Sequence, residues 1–314
     1  MTTPSEATES EGELLGKGNY GTVFKEHRVV GNDPLTIQTC AVKRIQPSED
    51  YQDSEYNVER RAFCISGCIH EKHGIRILPR LYESNYSSTF GAEFAMDIYD
   101  ETGDAWIANE VTNEDHYHTA YMIFQVFIRM LALHSIGVYH NDIFLRNVMI
   151  RRAERGTKGD VTEYVLRLGP EFTTHFMVRD SSFDVVLIDC GLCSGSSVGI
   201  PHKTRMLQFS ETKGRHPLQS KNAQLRPYLV DHCCLCMSVL SIVSKARKRS
   251  RHVGQGLQEL YRFSEFYRSC IDRDMRDQEI FRRVLGHPFF GRLIVRGVPD
   301  RILNLSSLLY EDNS

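Results

Sequence analysis

The chain has 314 residues, 41% of them hydrophobic and 25% charged, with 38 Lys and Arg against 40 Asp and Glu for a net charge of −2. That length suffices for one large domain or two modest ones with a real core, and the near-neutral balance gives no general electrostatic basis for binding nucleic acid or a membrane. The acidic, polar start MTTPSEATESEGE has no secretory-signal pattern, so a cytoplasmic or nuclear location with reduced cysteines is expected.

Residues 1–12 are rich in Ser, Thr and Glu and are expected to be disordered. Two β-rich runs follow, ELLGKGNYGTVFKEHRVV and LTIQTCAVKRI, separated by the turn residues GNDP, which predicts a hairpin. SEYNVERRAFCISGC is charged and helix-compatible, and RILPRLYES and EFAMDIY predict further strands. The character changes after Tyr99. The period of YMIFQVFIRMLALHSIG predicts a long helix over 115–137. Its apolar run is interrupted by Gln125 and Arg129, too short and too polar to span a bilayer, and reads as a buried helix. YVLRL, HFMV and FDVVLIDC predict short strands, and from about residue 228 the chain is mainly helical, with no internal repeat.

Four motifs carry chemistry. GKGNYGTVF places Gly16, Gly18 and Gly21 in a G-x-G-x-x-G, where the missing Cβ atoms let backbone turn tightly and approach phosphate oxygens. A dinucleotide-binding reading needs a helix at the third glycine, whereas TVFKEHRVV reads as a strand, so the loop joins two strands. CAVKRI places Lys43 in a downstream strand, where an ammonium near the glycine loop can hold nucleotide phosphates. YHNDIFLRNVMI sets Asp142 and Asn147 five residues apart among apolar neighbours, a costly placement unless the polar groups are paired or used. VVLIDCGLC delivers Asp189 from an apolar strand into a turn, a common way to place a hard oxygen ligand for Mg²⁺.

The nine cysteines include Cys190-x-x-Cys193 and Cys233-x-x-Cys236. Paired CxxC motifs can signal zinc, but the separation is long and each pair lies in a segment with another explanation, so the thiols are read as reduced groups filling small apolar spaces.

Taken in this order, the motifs resemble the eukaryotic protein kinase family, from about Leu14 to Phe290. GKGNYGTV is similar to the family's Gly-rich loop, AVK to its V-A-I-K strand, HNDIFLRN to H-R-D-x-x-x-x-N, and DCG to D-F-G. RPYLVDHCCLCMSVL resembles the buried helix of the larger lobe, with Asp231 at its conventional Asp, and VLGHPFF resembles its closing segment. The resemblance implies an α+β, bilobal fold: a tail over 1–12, a β-rich lobe over 13–98 and a helical lobe over 99–314. It implies an ATP- and Mg²⁺-dependent enzyme acting on a protein substrate, with a monomer as the default state. Leu15, Gly16, Lys17, Gly18, Asn19, Tyr20 and Gly21 would cover the phosphates. Lys43 would pair with the α- and β-phosphates, and its acidic partner would be Glu59 ahead of Glu55, because Phe63 follows Glu59 by four residues. Val23, Ala41 and Met149 would sandwich the adenine, Met96 would sit at the back of the pocket, and Asp97 to Tyr99 would form the hinge. Asp142 would orient the acceptor hydroxyl and accept its proton, and Asn147 and Asp189 would hold Mg²⁺.

The chain departs from the family at four places. Asn141 replaces the Arg of H-R-D, which normally meets a phosphorylated loop, so independence from loop phosphorylation is expected. Cys190 replaces the Phe of D-F-G. No A-P-E is present: Pro217 in HPLQ matches in position and Gln219 does not. Phe144 stands where Ser/Thr kinases carry Lys, and Arg146 is tyrosine-kinase-like, while Thr212 lies where a Ser/Thr substrate loop carries its Thr. The long insert between Asn147 and Asp189 predicts an extended hairpin. This divergence resembles that of kinases from large DNA viruses, which would place the chain in a host cell. A small-molecule kinase of the same superfamily, or a pseudokinase acting as a scaffold, are the rival readings. KARKRSR, Lys245 to Arg251, reads as a solvated basic loop.

Overall fold

The computed structural model describes residues 12–18, 21–30, 36–47, 53–110, 116–152, 159–168, 172–181, 183–195, 197–198, 227–249, 255–273 and 275–308. These residues hold thirteen strands and six α-helices, a mixed α/β architecture compatible with a kinase-like fold. The chain divides into two compact units, Met1–Asn57 with Pro79–Ile98, and Val58–Leu78 with Tyr99–Ser314.

The first unit is built on a five-stranded antiparallel sheet of β1 (Glu13–Lys17), β2 (Thr22–Val29), β3 (Ile37–Ile45), β4 (Leu81–Ser87) and β5 (Gly91–Met96), in the order β1-β2-β3-β5-β4. The predicted hairpin is β2 and β3, paired from Thr22 opposite Arg44 to Val29 opposite Ile37. The glycine loop joins β1 to β2, strand to strand, and is closed by the Gly18 N–H on the Gly21 carbonyl at 2.8 Å. Gly21 is required by packing, because a Cβ there would lie 2.5 Å from the Arg44 carbonyl oxygen. Alternation along β3 buries Cys40 and Val42 with Ala95 on one side and leaves Ala41, Lys43 and Ile45 on the other.

Helix α1 (Asp53–His73) begins in the first unit, where Tyr56 stacks on Tyr86 at 5.2 Å, and runs into the second from Val58. The second unit is organised around α3 (Tyr117–Ser135), which is buried continuously from Thr119 to His134. A helix apolar all round belongs in a core. The two polar interruptions have partners there. Gln125 donates to the Tyr164 hydroxyl at 2.7 Å, and Arg129 donates to Gln125 Oε1 at 2.6 Å and to Asp184 at 3.0 Å. Helices α4 (Pro227–Arg249), α5 (Gln255–Asp272) and α6 (Asp277–Leu285) complete the core, with α2 (Gly103–Glu110) beside the short strands.

Three small sheets decorate this unit. One contains β6 (Glu101–Thr102), β8 (Val148–Arg152) and β11 (Phe183–Leu187), in the order β11-β8-β6. A second pairs β7 (Val138–Tyr139) with β12 (Ser194–Gly195). The third holds β9 (Val161–Arg167), β10 (Thr173–Arg179) and β13 (Arg301–Asn304) in the order β10-β9-β13. The insert is thus the expected hairpin, β9 and β10. Strand β13, which the sequence reading placed in a helical region, pairs parallel to β9.

Two further expectations are corrected. Lys245 to Arg249 are not a loop but the last turns of α4. Lys and Arg are good helix formers and complement the negative end of the helix dipole, and the Arg247 guanidinium lies 4.6 Å over the Tyr261 ring. Within this helix Tyr228–Lys248 is long and apolar enough to cross a membrane by composition, and 61% of its most apolar window is buried inside the protein. Residues 1–11, the GNDP turn, Asn19, Tyr20, Thr212, Pro217, Gln219, Ser250 and Arg251 lie outside the described residues.

Candidate active site

In the first unit Leu15, Gly16 and Lys17 lie on β1, Gly18 and Gly21 at the turn, and Val23 on β2 directly opposite Lys43 on β3. Ala41 faces Met96 across β3 and β5, and both are buried. Asp97, just past β5, is held in place: its N–H donates to the Arg80 carbonyl at 3.0 Å and its carboxylate accepts from the Tyr82 hydroxyl. The sheet register thus gathers Val23, Ala41, Lys43 and Met96.

In the second unit the chain leaves β7 and makes a sharp turn at Asn141, whose φ is 64°. Asn tolerates this left-handed conformation better than other side chains with a Cβ. The turn is held by Asp231 of α4, fully buried, which accepts from the His140 N–H at 2.8 Å, the Asn141 N–H at 2.6 Å and His134 Nε2 at 3.0 Å. The Leu145 N–H donates to Ser238 on the same helix at 2.9 Å. This scaffold fixes a 3₁₀ turn, Leu145–Asn147, that brings Asn147 back to Asp142. The Asn147 amide nitrogen donates to the Asp142 carbonyl at 2.9 Å and to its Oδ2 at 2.7 Å. Arg146, cradled 4.2 Å over the Phe144 ring, donates to both Asp142 carboxylate oxygens at 3.0 and 3.1 Å. The two polar residues that interrupt the apolar stretch are therefore paired with each other.

Asp189 follows β11 in a left-handed conformation, φ 66°. The preceding Ile188 N–H donates to the Asn147 carbonyl at 2.9 Å, which ties this strand end to the Asp142 loop. Burial pushes the Asp142 carboxyl above the ordinary range and the Asp189 charge adds to this, while Arg146, His140 and Asn147 pull the other way. The Asn147 nitrogen is committed to Asp142, and its amide oxygen and the Asp189 carboxylate are each a hard-oxygen donor of the type Mg²⁺ takes. Glu59 of α1 is buried, and its Oε2 would lie 3.8 Å from a Cβ placed on Gly191. Phe63 is buried on the same helix. Met149 lies on β8 opposite Val186 and Thr102, and Tyr99 is buried under the Arg151 guanidinium at 4.9 Å.

Asn141 does what its replacement of Arg left open. Its side-chain nitrogen donates to the Leu192 carbonyl and to Ser194 Oγ, both at 2.8 Å, joining the Asp142 loop to the segment after Asp189 through neutral hydrogen bonds. Sequence reasoning missed this brace and also a buried network beyond it. His134 Nδ1 meets Asp277 at 3.0 Å, and His232 bonds Asp277 at 2.9 Å and the Tyr267 hydroxyl at 2.7 Å. The available signal was an ionisable residue inside each of two apolar stretches, LALHSIG and LVDHCC; Asp277, in the charged RDQEIF, carried none.

No protein-family model matches the chain. Over 148 residues, 46% of its length, it is 25% identical to a serine/threonine-protein kinase of Drosophila erecta, and over 152 residues, 48%, it is 25% identical to one of Drosophila melanogaster. A Drosophila yakuba protein of the same description is 25% identical over 153 residues. Each match covers 18% of the relative, so the chain spans less than a fifth of the length of these curated proteins. This weak similarity points to a kinase at the level of family.

Proposed function

We propose that the chain is a bilobal, ATP- and Mg²⁺-dependent protein kinase that transfers the γ-phosphoryl group to a protein hydroxyl, Ser or Thr rather than Tyr. The observation that carries this reading is the Asp142–Asn147 pair at 2.7 Å, tied through Ile188 to Asp189. Asp142 accepts the proton of the acceptor hydroxyl as its oxygen bonds to the γ-phosphorus. The bond to the β–γ bridging oxygen breaks and ADP leaves. Asn147 and Asp189 would hold Mg²⁺, which when bound neutralises phosphate charge. Lys43 supplies a cation for the α- and β-phosphates, and the glycine loop supplies backbone N–H groups. Positioning and charge do most of the work in this chemistry. The preference for Ser/Thr rests on the names of the Drosophila relatives and on Thr212.

Transfer from labelled ATP with Mg²⁺, to the protein itself and to basic and acidic protein substrates, tests the reading. We expect incorporation by the wild type and a loss of about 10²-fold or more in Asp142→Asn, within the range of general-base effects. Phosphoamino-acid analysis should return phosphoserine or phosphothreonine. ATP binding without transfer in either protein would instead make the chain a pseudokinase, and transfer only to small alcohols or aminoglycosides a small-molecule kinase.

A further inference from the structure

The phosphoryl-transfer reading leaves Cys190-x-x-Cys193 without a role. Its partner motif is not where a four-cysteine site would need it. Among the described residues Cys233 and Cys236 do not join it; Cys236 lies against the Ser264 carbonyl at 3.7 Å. Cys190 and Cys193 instead meet a histidine. They bracket a 3₁₀ turn closed by the Cys193 N–H on the Cys190 carbonyl at 2.9 Å. Their two sulfurs and one ring nitrogen of His140 all lie within 4.8 Å of one another. His140 and Cys190 are 0% exposed and Cys193 1%.

The histidine is set up as a ligating histidine is. Its Nε2 bonds the Ile188 carbonyl at 3.0 Å, which places the proton on that nitrogen. Its Nδ1 is buried with no oxygen or nitrogen partner, and the side chain that the ring meets is the Cys190 thiol. Metal-bound histidines characteristically donate the other ring N–H to a backbone carbonyl or carboxylate, which fixes tautomer and orientation. The second histidine cluster of this unit provides the contrast. Every ring nitrogen of His134 and His232 already bonds Asp231, Asp277 or Tyr267, so that cluster is a closed network.

We propose that His140, Cys190 and Cys193 form a binding site for a thiophilic d¹⁰ cation, Zn²⁺ or Cu⁺, at the turn that carries Asp189. Soft thiolates with an imidazole select these ions. Binding releases the two thiol protons, so it is coupled to pH and to folding. Three buried protein donors suit Cu⁺, whereas Zn²⁺ takes four ligands and needs one more. The cation would anchor the turn after Asp189 to the residue two before Asp142. The site stands whether or not the chain transfers phosphate.

The test uses the full chain, reduced with a phosphine and stripped of metal under argon, in a Cys64→Ser/Cys68→Ser background that removes the two exposed thiols. Zn²⁺, Co²⁺ as its coloured stand-in, and Cu⁺ are added separately, and metal per protein is measured after desalting. We expect one equivalent of Cu⁺ or of Zn²⁺ retained, a higher melting temperature, and two sulfurs and one nitrogen in the first shell by X-ray absorption. Cys193→Ser should retain none. Because the absorption spectrum is read on a chain with the site intact, it decides the matter even if Cys193→Ser fails to fold. Retention of neither metal, a first shell of oxygen and nitrogen alone, or full retention by a folded Cys193→Ser protein would overturn the site.

Discussion

Asn141 combines two demands at one position. It adopts a left-handed backbone that most side chains resist, and its amide bridges Leu192 and Ser194. Asp at this position keeps the backbone tolerance but cannot donate, and it sets a charge against the Leu192 carbonyl. Losing two partly buried hydrogen bonds of about 1–3 kcal/mol each should lower kcat roughly tenfold or more in Asn141→Asp, with the KM for ATP little changed. Steady-state kinetics beside a thermal melt would show it; an unchanged kcat would mean that the brace does not serve the Asp142 loop. An uncharged residue here also offers no cation to a phosphate, so phosphatase treatment should leave the rate as it was. The sequence supplied the identity of Asn141 and the expectation about phosphorylation. It could not supply the brace, because Leu192 and Ser194 are distant in sequence and their groups are generic.

At the scale of elements, the pairing of β7 with β12 is the joint through which that brace acts. Gly195 lies opposite Val138 with φ at +146°, and a Cβ on it would fall 1.9 Å from the Gly137 carbonyl oxygen. Gly195→Ala should therefore part the two strands and displace Ser194, with kcat reduced at least tenfold. Ser197→Ala, two residues on, removes only a 3.3 Å bond to the Ile136 carbonyl and should stay near wild type. Equal rates in the two variants would show the pairing to be dispensable. Elements with a strong local signature were legible in advance: the β2–β3 hairpin from its turn residues, α3 from its period, β11 from its apolar run, and the β9–β10 insert from its length. Strand β13 was not, because RILN has four residues and acquires its state only by lying beside β9. The same reason explains the cysteines. The sequence reading took Cys190 and Cys193 as thiols filling small apolar spaces, and only the fold shows that their neighbour is His140.

At the scale of the molecule, four side chains on three helices contribute to how the second unit responds to pH. Burial opposes charge on His134, but Asp277 and Asp231 overcome it and raise its pKa from 6.5 to about 9. Burial would also raise Asp277, and the two histidines instead hold it well below the carboxylate range. His232, lowered chiefly by burial, stays neutral above 6.5 in both folded and unfolded chains. Between pH 6.5 and about 9 the folded His134 is charged while the unfolded one is neutral, so its stabilisation is complete below 6.5 and is lost as pH rises. The melting temperature should fall from pH 6.5 to 8.5, and His134→Gln should be less stable with a flatter profile; an equally steep slope in that variant would contradict the assignment. The third sheet bears on a different stage of the protein's life. The Val161 N–H bonds the Asp300 carboxylate at 2.8 Å across 139 residues of sequence. At about 5–20 residues per second, a ribosome completes the hairpin at Arg179 roughly 6–25 seconds before β13 can cover it. Through that interval β9 presents an open edge to every neighbouring nascent chain, so slower translation or early termination should send this protein into aggregates well before any loss of chemistry could be measured.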